Sequence, residues 1–166
     1  SPNPYHTLTI NNPGAAAGTI TFGKRKQVTY LLLNNLGSSV ITGDITGMKL
    51  TDLYLSSIGS SVIEGEITGM ELIRLYLNGI GSSLSYGTNQ LYINHFNGIQ
   101  LLGSTVFATA AEYAQLIHDA ATGTWSGAYP FVITAGTTEN CPDWDEVKAD
   151  VATLLTKASW TVIPSA

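Results

Sequence analysis

The sequence predicts an α/β fold: a solenoid of short stacked coils with a parallel β-sheet face, closed at its C-terminal end by a βαβ-like cap carrying two helices. Three observations carry this expectation. Blocks beginning at Gln27, Lys49 and Glu71 recur every 22 residues, and self-similarity at a fixed period of this length marks stacked repeats. Each block holds the spacing of Val28, Leu31 and Leu33, repeated as Leu50, Leu53, Leu55 and as Leu72, Leu75, Leu77; its second half alternates as a short strand does. After residue 103 the repeat gives way to helix-like and strand-like runs in turn. Residues 1–26 therefore read as a degenerate N-terminal capping repeat, 27–103 as the solenoid, and 104–166 as an α/β cap continuous with the solenoid sheet.

In chain order, Thr7-Leu8-Thr9-Ile10 alternates like a strand. Asn12-Pro13-Gly14 is a turn, and Gly18-Thr19-Ile20 mimics the later Gly-x-Ile segments. A terminal repeat is atypical because one of its faces has no neighbour. In the full blocks the Leu-x-Leu strand is followed by a Gly-Ser-Ser turn. A return segment comes next, Ile41-x-Gly43-x-Ile45 or Ile63-x-Gly65-x-Ile67, and Thr-Gly-Met leads into the next coil. Recurrent Gly and Ser-Ser argue against a helical repeat. Leu91-x-Ile93 reads as a truncated fourth coil and Ile99 to Leu102 as one more strand. Thr109-x-x-Glu112 has the form of a capping box, in which hydroxyl and carboxylate each take an orphan helix N–H. The helix it opens runs from Ala110 to Ala121 with Tyr113, Leu116, Ile117 and Ala120 on one face. Phe131 to Thr134 is a strand. Pro142 and the acidic Asp143, Asp145 and Glu146 open a second helix to about Lys157, with Val147, Val151, Leu154 and Leu155 inward. Trp160 to Ile163 is the last strand.

Leu50-x-x-Leu53-x-Leu55 followed by Ile63-x-Gly65-x-Ile67 resembles leucine-rich repeats, and the match covers about residues 28–93. Where that family places a buried Asn three residues after the last strand Leu, this chain has Leu36, Ile58 and Ile80. The turn must then be made in another way. Gly43-Asp-Ile-Thr-Gly47, Val132-Ile133-Thr134-Ala135-Gly136 and Ser159-Trp160-Thr161-Val162 are similar to segments of leucine-rich-repeat modules in tail and virion proteins of phages that infect Bacteroidetes. That resemblance implies a virion component used for attachment or assembly.

Charged residues make up 11% of the chain, well under the roughly 25% usual in soluble domains. Gly, Ser, Thr and Asn supply the polar surface, which suits an exposed binding or structural protein. The net charge is −5 and the one basic run is Lys24-Arg25-Lys26. A nucleic-acid partner needs a positive patch, so none is expected, and the run reads as a solvated loop. No apolar run approaches the roughly 18 residues of a membrane span, so no membrane insertion is expected. The single cysteine, Cys141, permits no internal disulfide. The N-terminal Ser1-Pro2-Asn3-Pro4 lacks Met and any signal-like pattern, as in a processed chain or one cut from something longer.

Candidates for chemistry are few. His6 lies in the lead, His95 in the truncated coil, and His118 mid-helix beside Asp119. Adjacent helix residues point to different faces, so that pair is no orienting dyad. Cys141 precedes a Pro at a helix start, with no His placed near it. The Ser pairs 38–39, 60–61 and 82–83 recur because the turn recurs. Asp44, Glu64 and Glu66 sit on return segments, but Tyr86 and Thr88 break any calcium-holding column. The expectation is a non-enzymatic protein with no catalytic residues, no cofactor and no metal.

Recognition then falls to the strand positions that point away from the core. Stacking aligns Leu32, Tyr54, Tyr76 and Tyr92 in one column. Tyr30, Asp52, Arg74 and Gln90 precede it, with Asp52 and Arg74 on adjacent strands where they can pair, and Asn78, Asn94 and His95 follow. Tyrosines flanked by amides and hydroxyls suit rigid contacts with protein or a surface glycan. The alternative is that the ladder only braces the sheet. The expected role is a binding or structural module on a virion. The other reading is a bacterial secreted or cell-surface repeat protein that binds protein or glycan, or self-associates into an oligomer or fibre.

Overall fold

Each full coil lays down two short strands, one on either side of an apolar interior. The computed structural model describes residues 6–11, 14, 17–21, 27–81, 84–87, 98–103, 105–123, 130–133, 144–154, 156–157 and 159–162. The first strands are β1 (Thr7–Asn11), β2 (Ala17–Ile20), β3 (Tyr30–Asn34), β4 (Val40–Asp44), β5 (Asp52–Ser56) and β6 (Val62–Glu66). Next come β7 (Arg74–Asn78), β8 (Leu84–Ser85) and β9 (Gly98–Leu102). The C-terminal part holds α1 (Ala110–Thr122), β10 (Pro130–Ile133), α2 (Trp144–Leu154) and β11 (Ser159–Val162). Odd-numbered strands up to β9, then β10 and β11, form a seven-stranded main sheet; β2, β4, β6 and β8 form a four-stranded return sheet. Pairing is parallel throughout both. The chain is thus a parallel β-solenoid with two helices at its C-terminal end, as the repeat and the later helix patterns predict.

The main sheet pairs equivalent residues of successive coils. Leu31 stands beside Leu53 and Leu53 beside Leu75, with Leu33, Leu55 and Leu77 likewise in line. These leucines are buried and form one core with Ile45, Ile67, Met48 and Met70 from the return side. No single coil could cover that surface alone, so stacking supplies the hydrophobic stabilisation.

The return sheet is staggered. Thr42 pairs with Val62 and Gly43 with Ile63, two residues short of the 22-residue sequence repeat. Because side chains alternate with period 2, a slip of two keeps every residue on its own face: Gly43 and Ile63 stay inside, Thr42 and Val62 outside.

The turn after each main-sheet strand answers the question left by Leu36, Ile58 and Ile80, which are all buried. The preceding residues Asn35 (φ 49°), Ser57 (φ 51°) and Gly79 (φ 64°) take left-handed backbone. The Asn35 and Leu36 N–H groups bond to the Ser56 and Ser57 carbonyls of the next coil, and serines inside the stack satisfy further backbone groups. Ser61 Oγ donates to the Ser39 carbonyl (3.1 Å) and accepts from the Ile41 N–H (2.9 Å), while Ser39 Oγ donates to the Gly14 carbonyl. The second serine of each of these pairs is therefore a buried strut between coils. Ser57 is the one of the three left-handed residues that is neither Gly nor Asn, and the left-handed region costs such a residue about 1 kcal/mol. Ser57→Gly is expected to raise stability by somewhat under ~1 kcal/mol, glycine's own unfolded-state entropy offsetting part of the gain. A higher urea midpoint at unchanged slope is the readout.

At the C-terminal end β10 joins β9 and β11 joins β10, so the main sheet continues through the β–α–β–α–β run. Helix α1 buries Tyr113, Leu116, Ile117 and Ala120, the face expected from its spacing. Helix α2 buries Val147 and Leu154. It stops at Leu154, short of the expected Lys157: Thr156 and Lys157 N–H groups bond to the carbonyls three residues back, closing the end as a tight turn. Leu155 lies outside the described residues. Thr109 is the N-cap of α1, yet its hydroxyl bonds no backbone group. It donates instead to Glu112 Oε1 (2.9 Å), and Glu112 Oε2 accepts the Tyr86 N–H (2.8 Å). The expected capping box is thus redirected: its glutamate ties the helix to the solenoid. Among the described residues no helix is long and apolar enough to cross a membrane.

Candidate recognition face

The outer surface of the main sheet is built from the residues between the buried leucines. Its central row, read across the strands, is Thr9, Leu32, Tyr54, Tyr76, Gln100, Val132 and Thr161. On one side Tyr30, Asp52, Arg74 and Gly98 line up; on the other Asn34, Ser56, Asn78 and Leu102. Strict alternation puts those of β1 to β10 on the face opposite the core.

Tyr54 and Tyr76 lean on each other with ring centroids 6.2 Å apart and planes 33° apart. Tyr30, diagonal to Tyr54, extends the row at 5.6 Å and 35°. The expected column placed Leu32 beside Tyr54, with Tyr30 in the row before it. Leu32 is half-buried in that column, and Tyr30 supplies the third ring. The cue was in the sequence: Tyr30 is two residues before Leu32 and so shares its face. Burial pushes the Tyr54 phenol above its usual range; Arg74 opposes that shift, and Asp52 and Tyr30 add to it.

Polar groups frame the rings. Arg74 Nη1 donates to Asp52 Oδ1 at 3.1 Å, the pair expected from their adjacent strands, and Thr51 Oγ1 donates to Asp52 Oδ2 at 2.8 Å. Arg74 remains 45% exposed while Asp52 is 13% exposed, so the guanidinium keeps donors facing solvent. Asn78 Nδ2 donates to the Tyr76 hydroxyl and Asn34 Nδ2 to Asn11 Oδ1, both at 3.3 Å. The strand next to β7 is β9, and Gln100 stands beside Tyr76. Tyr92, Asn94 and His95 lie outside the described residues, as do the truncated coil at 91–93, Cys141 and the basic run at 24–26.

Other candidates separate rather than converge. Asp119 is buried and takes the Tyr86 hydroxyl and the Gln115 amide (2.8 Å). His118, on another face of α1, has Nδ1 3.1 Å from Asp150 Oδ2 of α2. The groove between these helices, about 320 Å³, is shallow and lined by Gln115, His118, Glu146, Val147, Asp150 and two alanines. Asp44 and Glu64 are neighbours on the return sheet. Hydrogen bonds from the Thr46 side chain and N–H hold the Asp44 carboxyl below the usual range. Among the described residues no three His, Cys, Asp or Glu side chains gather as metal ligands would. Comparisons with protein-family models, with curated proteins and with solved structures give no match to this chain.

Proposed function

We propose that the solenoid is of the leucine-rich-repeat kind and acts as a non-enzymatic recognition module, with the outer face of the main sheet as its binding surface. The observation that carries this reading is the run of Tyr30, Tyr54 and Tyr76, each ring leaning on the next, with the Asp52–Arg74 ion pair on one side and Asn34, Ser56 and Asn78 on the other. Rings that already pack on one another lose little rotamer freedom when a partner docks, so most of the contact energy is kept as affinity. The exposed Arg74 donors and the amides give such a surface directional hydrogen bonds. The resemblance of Gly43 to Gly47 and of Ser159 to Val162 to phage tail-protein segments makes a virion surface the setting, and a host-surface protein or glycan the partner.

The test is binding of the labelled chain to intact bacterial cells and to an array of bacterial surface glycans. The double variant Tyr54→Ser/Tyr76→Ser is expected to weaken binding at least tenfold, since buried aromatic anchors are worth about 2 kcal/mol each. Its circular dichroism and elution volume should match the parent. Binding that survives the double change removes this face from consideration. Protease treatment of the cells separates a protein partner from a glycan.

A further inference from the structure

We infer that the ligand of the tyrosine face is an acidic glycan, a sugar chain bearing carboxylates, one of which docks on the Arg74 guanidinium beside Tyr54. This rests on the reading of that face as a recognition surface and names the chemistry it selects. From β1 to β10, among the described residues, Asp52 and Arg74 are the only charged side chains on the outer face of the main sheet. They do not present their charges equally. Asp52 is mostly covered, and both its oxygens are engaged, Oδ1 by Arg74 and Oδ2 by the Thr51 hydroxyl. Arg74 is exposed, and it reaches Asp52 through Nη1, while a guanidinium carries further N–H donors in the same plane. The face therefore offers solvent a cation whose counter-charge is turned inward. A planar fork of this kind matches a carboxylate, which it takes by two parallel hydrogen bonds.

The groups around the guanidinium suit the same ligand. Burial pushes the Tyr54 phenol up, and Arg74 lies close enough to oppose that shift. The phenol keeps its proton and can donate to the carboxylate that Arg74 holds. The Tyr76 hydroxyl accepts from Asn78 Nδ2, which leaves its own O–H to donate. Asn34, Ser56 and Asn78 stand side by side on successive strands, and Gln100 stands beside Tyr76. Sugar hydroxyls both donate and accept, and amides and hydroxyls answer them in either sense.

An acidic peptide fits this face less well. Extended peptides dock by adding a strand to a sheet edge, and helical ones by filling an apolar groove. Strands β5 and β7 are each paired on both sides, so no strand can add there. Across the outward positions of β3, β5 and β7, half-buried Leu32 is the one aliphatic side chain. The two sheets also divide the charge. Asp44 and Glu64 are exposed neighbours on the return sheet, so an acidic chain is repelled there and steered to Arg74.

The probes are oligogalacturonate, oligomannuronate and sialyllactose, each beside its methyl ester, which keeps the sugar chain and removes the charge. At least one acid should bind about tenfold more tightly than its ester, with an affinity that falls as salt rises. Arg74→Lys keeps the charge but loses the fork, and should weaken that binding about tenfold. Asp52→Asn keeps an acceptor for Arg74 but removes the negative charge beside it, and should strengthen binding about threefold. An ion pair that only braces the sheet predicts no such gain. Circular dichroism confirms that each variant is folded. Binding to none of the acids, an ester bound as tightly as its acid, poly-glutamate bound as tightly as the sugars, or weaker binding by a folded Asp52→Asn variant each overturns the inference. These results leave the recognition face itself to the cell-binding test. Acid binding that survives Tyr54→Ser/Tyr76→Ser overturns the face and the inference together.

Discussion

Gly59→Ala is expected to destabilise the chain by about 3 kcal/mol, while Gly37→Ala at the equivalent place one coil earlier costs about 1 kcal/mol. Both glycines are left-handed, with φ of 61° and 56°, so alanine meets the same backbone penalty at either. The difference lies in what stands beside them. A Cβ on Gly59 falls 2.5 Å from the Gly37 carbonyl oxygen, whereas one on Gly37 has nothing within 4 Å. The obstacle is backbone of the neighbouring coil, which cannot swing aside as a side chain can, so the two coils must part. Urea unfolding of the two variants in parallel measures this. Equal losses would mean that the stack yields at little cost, contrary to a tightly packed turn.

Asp119→Ala is expected to cost about 3 kcal/mol and to loosen the joint between solenoid and cap, because it withdraws a buried carboxylate from the Tyr86 hydroxyl and the Gln115 amide. The joint is densely built. Phe107 meets Tyr86 and Tyr113 edge-on at 5.9 Å and 5.2 Å, and the Tyr113 hydroxyl accepts N–H groups from Val106 and Phe107. Tyr86→Phe keeps the ring packing and is expected to lose about 2 kcal/mol. The double variant should cost less than the two singles together, since both remove the same bond. Simple additivity in that cycle would show that the bond carries no stability of its own.

Most of the fold was readable in the sequence because inward positions repeat with strict alternation. Leu31, Leu53 and Leu75 hold the same place in each block, and an equal register sets them side by side with every inward leucine buried. The Asp52–Arg74 pair was readable for the same reason, since equal register puts equal block positions side by side. The stagger of the return sheet was hidden, because a slip of two leaves the inside–outside pattern of Ile41, Gly43 and Ile63 unchanged. Glu112 misled because Thr-x-x-Glu describes only local partners, and Tyr86 is 26 residues away in sequence. The tyrosine row was half visible. Tyr54 and Tyr76 share a block position, whereas Tyr30 reaches Tyr54 diagonally, which no comparison of equivalent positions reveals.

The return sheet's last described strand, β8, bears on how the molecule carries load. Hydrogen bonds between coils point along the stack, so a pull from end to end loads successive joints in series, and the stack is as strong as its narrowest joint. From β3 to β7 and from β4 to β8 every joint is doubled, one ladder in each sheet. Past β8, among the described residues, a single ladder, β7 to β9, carries the tension. Tyr86 stands at that step, just after β8, with its N–H held by Glu112 and its hydroxyl by Asp119, both on α1. The cap helix thus works as a splice plate, bolted across the place where one of two parallel cables ends.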